Sequence, residues 1–199
     1  MADLTLPAPI TAPAWLSLSD DHAPANALAL HDQAQHALSS PAHRERWKYT
    51  SPSSILKHLT DAHLAASITG AEQAGIVVTH GQAPAHLPQF SLAQAPEAIA
   101  RLCYAQQLTY IEVSERVEQP LHIAHTGASQ PIIISLLPGA SLTLLEEINA
   151  GEQSQQALWL SLGHGSQLEH CVSALKTGQE HWQYLSAHLH KQSNYRLHN

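Results

Sequence analysis

Residues 132–146 (IIISLLPGASLTLLE) and 158–172 (LWLSLGHGSQLEHCV) decide how this chain is read. Laid over one another at an offset of about 26 residues, they place Ser135 on Ser161, Leu136 on Leu162, Gly139 on Gly165 and Leu142 on Leu168. Each copy is a run of alternating apolar residues, a glycine-containing corner and a second alternating run. Alternation with period two is the mark of a half-buried strand. One such unit cannot bury its apolar face alone, but stacking on the next copy does so. The pattern therefore predicts a β-solenoid.

The same period extends on both sides. From Leu108 the chain alternates around Tyr110 and Glu112, then over residues 119–126, 131–137, 141–146, 156–162, 167–175 and 182–189, with Gly, Pro, Ser and Asn corners between. The last of these runs drifts from the repeat by about one residue. Upstream, the character is helical. Residues 24–39 fit an amphipathic helix that Pro41 ends or follows with a new segment, Ser53 caps another after Pro52, and residues 96–105 form a third. Residues 76–79 (IVVT) read as a short strand entering a turn at His80-Gly81, residues 61–75 are ambiguous, and residues 1–13 read as an extended, Pro-rich tail. The expected division is a tail, helical region and short strands over 1–106, and stacked strands over 107–199.

Composition narrows the function. The chain has 199 residues, an apolar fraction of 44% and only 13% charged residues, enough for a sizeable core. Its net charge is −7 with histidine neutral, so it carries no basic footprint for nucleic acid. Two cysteines without a CxxC do not make a disulfide scaffold. No secretory signal and no run of membrane-spanning length is read, so the expectation is a cytoplasmic protein.

No catalytic, cofactor-binding or metal-ligating residue is assigned. His122 and His125 flank a strand-like run, His188 and His190 would share a strand face, and His164, His170, Cys171 and His181 lie near them. Sixteen histidines produce such pairs by chance, so they are read as surface or hydrogen-bonded residues rather than a metal centre. Cys171 overlays Leu145 and His170 overlays Leu144; Cys171 and Cys103 are read as packing residues. Glu146, Glu147 and Glu152 are read as a solvated strand end. GxSxG, P-loop, GxGxxG and HExxH motifs are absent from the sequence.

Two features resemble one family. Arg44-Glu45-Arg46-Trp47-Lys48-Tyr49-Thr50 resembles the E-x-W-[KR]-Y-T signature near the N-terminus of the SufD family. The runs Pro138-Gly139-Ala140-Ser141-Leu142-Thr143-Leu144 with Glu146, and Gly165-Ser166-Gln167-Leu168-Glu169-His170, resemble that family's β-helix rungs, which its sister SufB shares. The resemblance implies a mainly β fold with α: an N-terminal helical region followed by a right-handed parallel β-helix. It implies a non-catalytic scaffold subunit of the SufBCD iron–sulfur cluster assembly complex, with a SufB-like subunit and a SufC-like ATPase as partners. The iron–sulfur cluster is assembled by the complex and no cofactor is assigned to this chain. The sequence stops at Asn199 after three or four rungs, so an N-terminal half is expected, lacking the C-terminal helical region. The family's proposed metal-binding histidine and its SufC-binding segment fall beyond it. The open end near residues 182–189 is expected to favour association, including self-association. The alternative readings are a histidine-rich metal-dependent enzyme on a β-helix or cupin-like fold, and a purely structural solenoid that binds other proteins.

Overall fold

The computed structural model describes residues 27–46, 65–81, 105, 107–127, 129–149, 153–176 and 180–199. The chain divides into two units, one comprising Met1–Asp61 with Ala83–Gln107 and the other Ala62–Gln82 with Leu108–Asn199.

In the first unit, helix α1 (Ala27–Leu38) is followed by helix α2 (Pro41–Arg46). Pro41 both follows one helix and starts the next. It occupies the first helical position, where a missing N–H costs nothing, and Ser40 Oγ accepts the His43 N–H at 3.2 Å as an N-cap. Ala34 and Leu38, one turn apart on α1, are fully buried. The stretch Trp47–Thr50, the helices expected after Ser53 and over 96–105, and the N-terminal tail lie outside the described residues.

The second unit is mainly β. Its strands are β1 (Ser67–Thr69), β2 (Ile76–His80), β3 (Thr109–Val113), β4 (Leu121–Thr126), β5 (Ile132–Leu136), β6 (Ser141–Asn149), β7 (Gln153–Leu162), β8 (Gln167–Lys176), β9 (Glu180–Leu189) and β10 (Asn194–His198). They form two five-stranded sheets, ordered β1-β4-β6-β8-β10 and β2-β3-β5-β7-β9. From β3 onward the chain alternates between the sheets, and every pairing within a sheet is parallel. Only the first strand of each sheet runs against its neighbour, β1 on β4 and β2 on β3.

Register follows the repeat to the residue. Ser135 pairs with Ser161, Leu136 with Leu162 and Leu142 with Leu168. The step from Ile132 to Leu158 becomes one residue longer from Leu158 to Leu185, which is the drift seen in the sequence. Apolar ladders result. Ile111, Ile134 and Leu160 are successive partners, as are Val113, Leu136 and Leu162, and all six are buried. These ladders and their counterparts Leu121, Ile123, Leu142, Leu144 and Leu168 in the other sheet form one core. Continuous burial of this kind suits parallel strands, whose apolar residues stack like on like.

The corners repeat too. Tight turns are closed by N–H···O bonds from Ala140 to Leu137, Ser166 to Gly163 and Ser193 to His190. Their third residues are Gly139 (φ 79°), Gly165 (φ 69°) and Gln192 (φ 63°). Glycine adopts this left-handed conformation freely, whereas a residue with a Cβ is strained by about 1–2 kcal/mol. Gln192→Gly is therefore expected to raise stability by about 0.5–1 kcal/mol, since glycine also gains unfolded-state freedom. Denaturant titration would register this as a higher midpoint at unchanged slope.

Residues 62–82 belong with the β unit, because β1 and β2 pair with β4 and β3. The segment after Lys191 forms β10, in register on β8. The terminal edge is consequently double, β9 in one sheet and β10 in the other.

Candidate functional site

Alternation along β6 sends Leu142, Leu144, Glu146 and Ile148 inward, so a carboxylate enters the core. Glu146 is 2% exposed. Partners arrive from both neighbouring strands. His125 of β4 pairs in register with Ile148, and His170 of β8 pairs with Leu144, placing the two rings diagonally on either side of Glu146. His125 Nε2 lies 2.9 Å from Oε1, and His170 Nε2 lies 2.9 Å from Oε2. The second contact is a well-directed hydrogen bond; the first is equally close but less well directed.

Each ring is held from behind. His125 Nδ1 is 2.9 Å from Ser129 Oγ, and His170 Nδ1 is 3.0 Å from Tyr195 Oη on β10. The Gln183 amide of β9 donates a long bond of 3.4 Å to Glu146 Oε2 from the opposite sheet. Gln156, the register partner of Gln183 on β7, is also buried, and its amide meets no hydrogen-bond partner among the described residues. The result is a polar layer inside an apolar core, spanning β4, β6, β8 and β10 and touched by β9.

Electrostatics follow from burial and contacts. Burial alone raises the Glu146 carboxyl, but the hydrogen-bonding contacts of His125 and His170, then their charge, outweigh it and hold the group at about 2. Burial, followed by the negative charge of Glu146, pushes the Tyr195 hydroxyl up to about 12. The linkage signs are opposite. Glu146, depressed in the folded state, contributes stability above its ordinary value of 4.5 that is lost as pH falls toward 2. Tyr195, raised in the folded state, contributes stability below 10 that is lost as pH rises toward 12. Thermal unfolding across pH should show both limbs, and Tyr195→Phe should remove its share of the alkaline one.

The remaining candidates are dispersed. His122 faces outward, 3.5 Å from the half-exposed Glu147. His188 and His190 do share a face, as exposed rings 4.8 Å apart. His164 is exposed, and the side chain of His181 lies outside the described residues, as do Glu152 and Cys103. Two expectations are overturned. Glu146 is not a solvated strand end; it is the buried centre of the layer. Of the adjacent pair 170–171, His170 turns inward and Cys171 lies half-buried on the outer face, in line with Leu145 and His198. Among the described residues, no group of three or more His, Cys, Asp or Glu side chains is arranged to hold a metal ion. Glu146 itself occupies the space toward which both Nε2 atoms point. No described helix is long and apolar enough to cross a membrane. Comparison with family models, with curated proteins and with solved structures finds no match to this chain.

Proposed function

We propose that this chain is a SufD-like accessory scaffold subunit of the SufBCD iron–sulfur cluster assembly complex, built on a right-handed parallel β-helix, and that it acts without catalysing a reaction of its own. The observation that carries the reading is the parallel, in-register alternation of strands between two sheets, downstream of helices and of Arg46-Trp47-Lys48-Tyr49-Thr50. The β-helix reading rests on the step of 26 to 27 residues, from Ile132 to Leu158 and from Leu158 to Leu185, and on the stacked corners at Gly139, Gly165 and Gln192.

The scaffold role draws on where the polar chemistry lies. Glu146, His125 and His170 are enclosed in the core, where they cross-link strands β4, β6 and β8. We assign association to strands β9 and β10, each last in its sheet, with no other described strand on its outer side. Inward-facing Leu189 is 50% exposed there and Leu197 42%, where the matching positions Leu162 and Leu144 of earlier strands are buried. A SufB-like subunit presenting strand edges is the partner this surface would take, and a SufC-like ATPase completes the assembly. The iron–sulfur cluster is the cargo of that assembly.

Co-expression with SufB-like and SufC-like subunits tests the reading. A tagged SufB-like subunit should retain this chain at constant ratio through size exclusion. Recovery of SufB- and SufC-like subunits free of it would overturn the proposal.

A further inference from the structure

The buried layer has a chemical property that the scaffold reading does not use. Its five groups run in one line: Ser129 hydroxyl, His125 ring, Glu146 carboxylate, His170 ring, Tyr195 hydroxyl. A carboxylate only accepts, so each Nε2 facing it must carry a proton. That leaves Nδ1 of each ring against a hydroxyl, the one side-chain group here that both donates and accepts.

We propose that these five residues form a buried proton-uptake site, in which both imidazoles keep Nε2–H on Glu146 and bind added protons at Nδ1. With a neutral ring, Nδ1 accepts from the serine or tyrosine O–H. With a protonated ring, Nδ1–H donates to the same oxygen, whose hydrogen turns away. Uptake therefore keeps a hydrogen bond at each Nδ1, where an unpaired interior polar group would be costly. The first proton also converts a layer with one net negative charge into a neutral one, which a low-dielectric interior favours. Tyr195 is half-buried on strand β10, whereas Ser129 is 1% exposed, so the two ends of the line differ in burial.

No other ionisable group acts on Glu146 among the described residues. β4 contributes His125, β8 His170, β10 Tyr195, and β9 only the amide of Gln183, which does not titrate. His122 and Glu147 pair on the outer face. The inference is independent of the scaffold reading.

Nitrogen NMR of the full chain with labelled histidine rings, recorded from about pH 8.5 to 5.5, tests it. Both rings should show Nε2–H at every pH, and each added proton should appear at Nδ1. Tyr195→Phe should leave both Nε2–H in place and speed solvent exchange of His170 Nδ1–H about ten-fold, the loss of one hydrogen bond. Ser129→Ala should do the same at His125 alone. An Nδ1–H tautomer at the alkaline end, loss of either Nε2–H on acidification, or variants that affect both rings alike would overturn the proposal.

Discussion

Glu146→Ala is expected to destabilise the chain by about 3–5 kcal/mol, the scale for removing one partner from a buried ion pair. The reason is orphaning rather than lost attraction. His125 and His170 are 3% and 0% exposed, and both would keep an N–H aimed at an empty space. Each unsatisfied buried donor costs about 1–3 kcal/mol. The companion variant separates this account from a general demand for a charge at that position. Replacing Ser129 with alanine and His125, Glu146 and His170 together with leucine removes every orphan and leaves Tyr195 at its half-exposed site. That variant should match the parent or exceed it by about 1–4 kcal/mol. Denaturant midpoints at neutral pH measure both. If the multiple variant falls as far as Glu146→Ala, the layer acts through something other than its own satisfaction.

Ile134→Ala is the second large effect, about 2–5 kcal/mol for a cavity in a close-packed core. Ile134 is fully buried, flanked in register by Ile111 below and Leu160 above, and backbone pairing keeps those neighbours from closing the gap. Val77→Ala, at a position 58% exposed on β2, should change stability by less than about 0.5 kcal/mol. Unfolding followed by far-ultraviolet circular dichroism would distinguish the pair. A small loss at Ile134 would mean that the ladders slide to fill the space.

The parts of this fold legible in the sequence were those with period two and a glycine corner. Residues 132–172 announced their own register because Ser135, Leu136 and Leu142 repeat as Ser161, Leu162 and Leu168, and like residues stack on like. The drift before Leu189 was legible too, as one extra residue between corners. β10 was hidden because its corner carries Gln192 where its predecessors carry glycine, and the strand is short and polar on its outer face. β1 has three residues and pairs antiparallel to the rest, so no repeat marks it.

The polar layer was half legible. Ending β6 at Glu146 turned that residue into a strand terminus. Carrying the alternation on to Asn149 would have put it in line with Leu142, Leu144 and Ile148. Its partners lie 21 residues before it and 24 after it, at His125 and His170, and only the strand register brings them together. For the 170–171 pair, register decides: His170 pairs with buried Leu144 and Cys171 with exposed Leu145, so the histidine is the inward one.

Hydrogen exchange of this chain, alone and mixed with a SufB-like subunit, tests the central claim most directly. Among the described residues no strand pairs with the outer sides of β9 and β10, and edge amides of that kind exchange freely until a strand covers them. The account predicts slower exchange on those two strands when the SufB-like subunit is present, with the already buried β5 and β6 unchanged. Identical exchange at every strand with and without that subunit would contradict it.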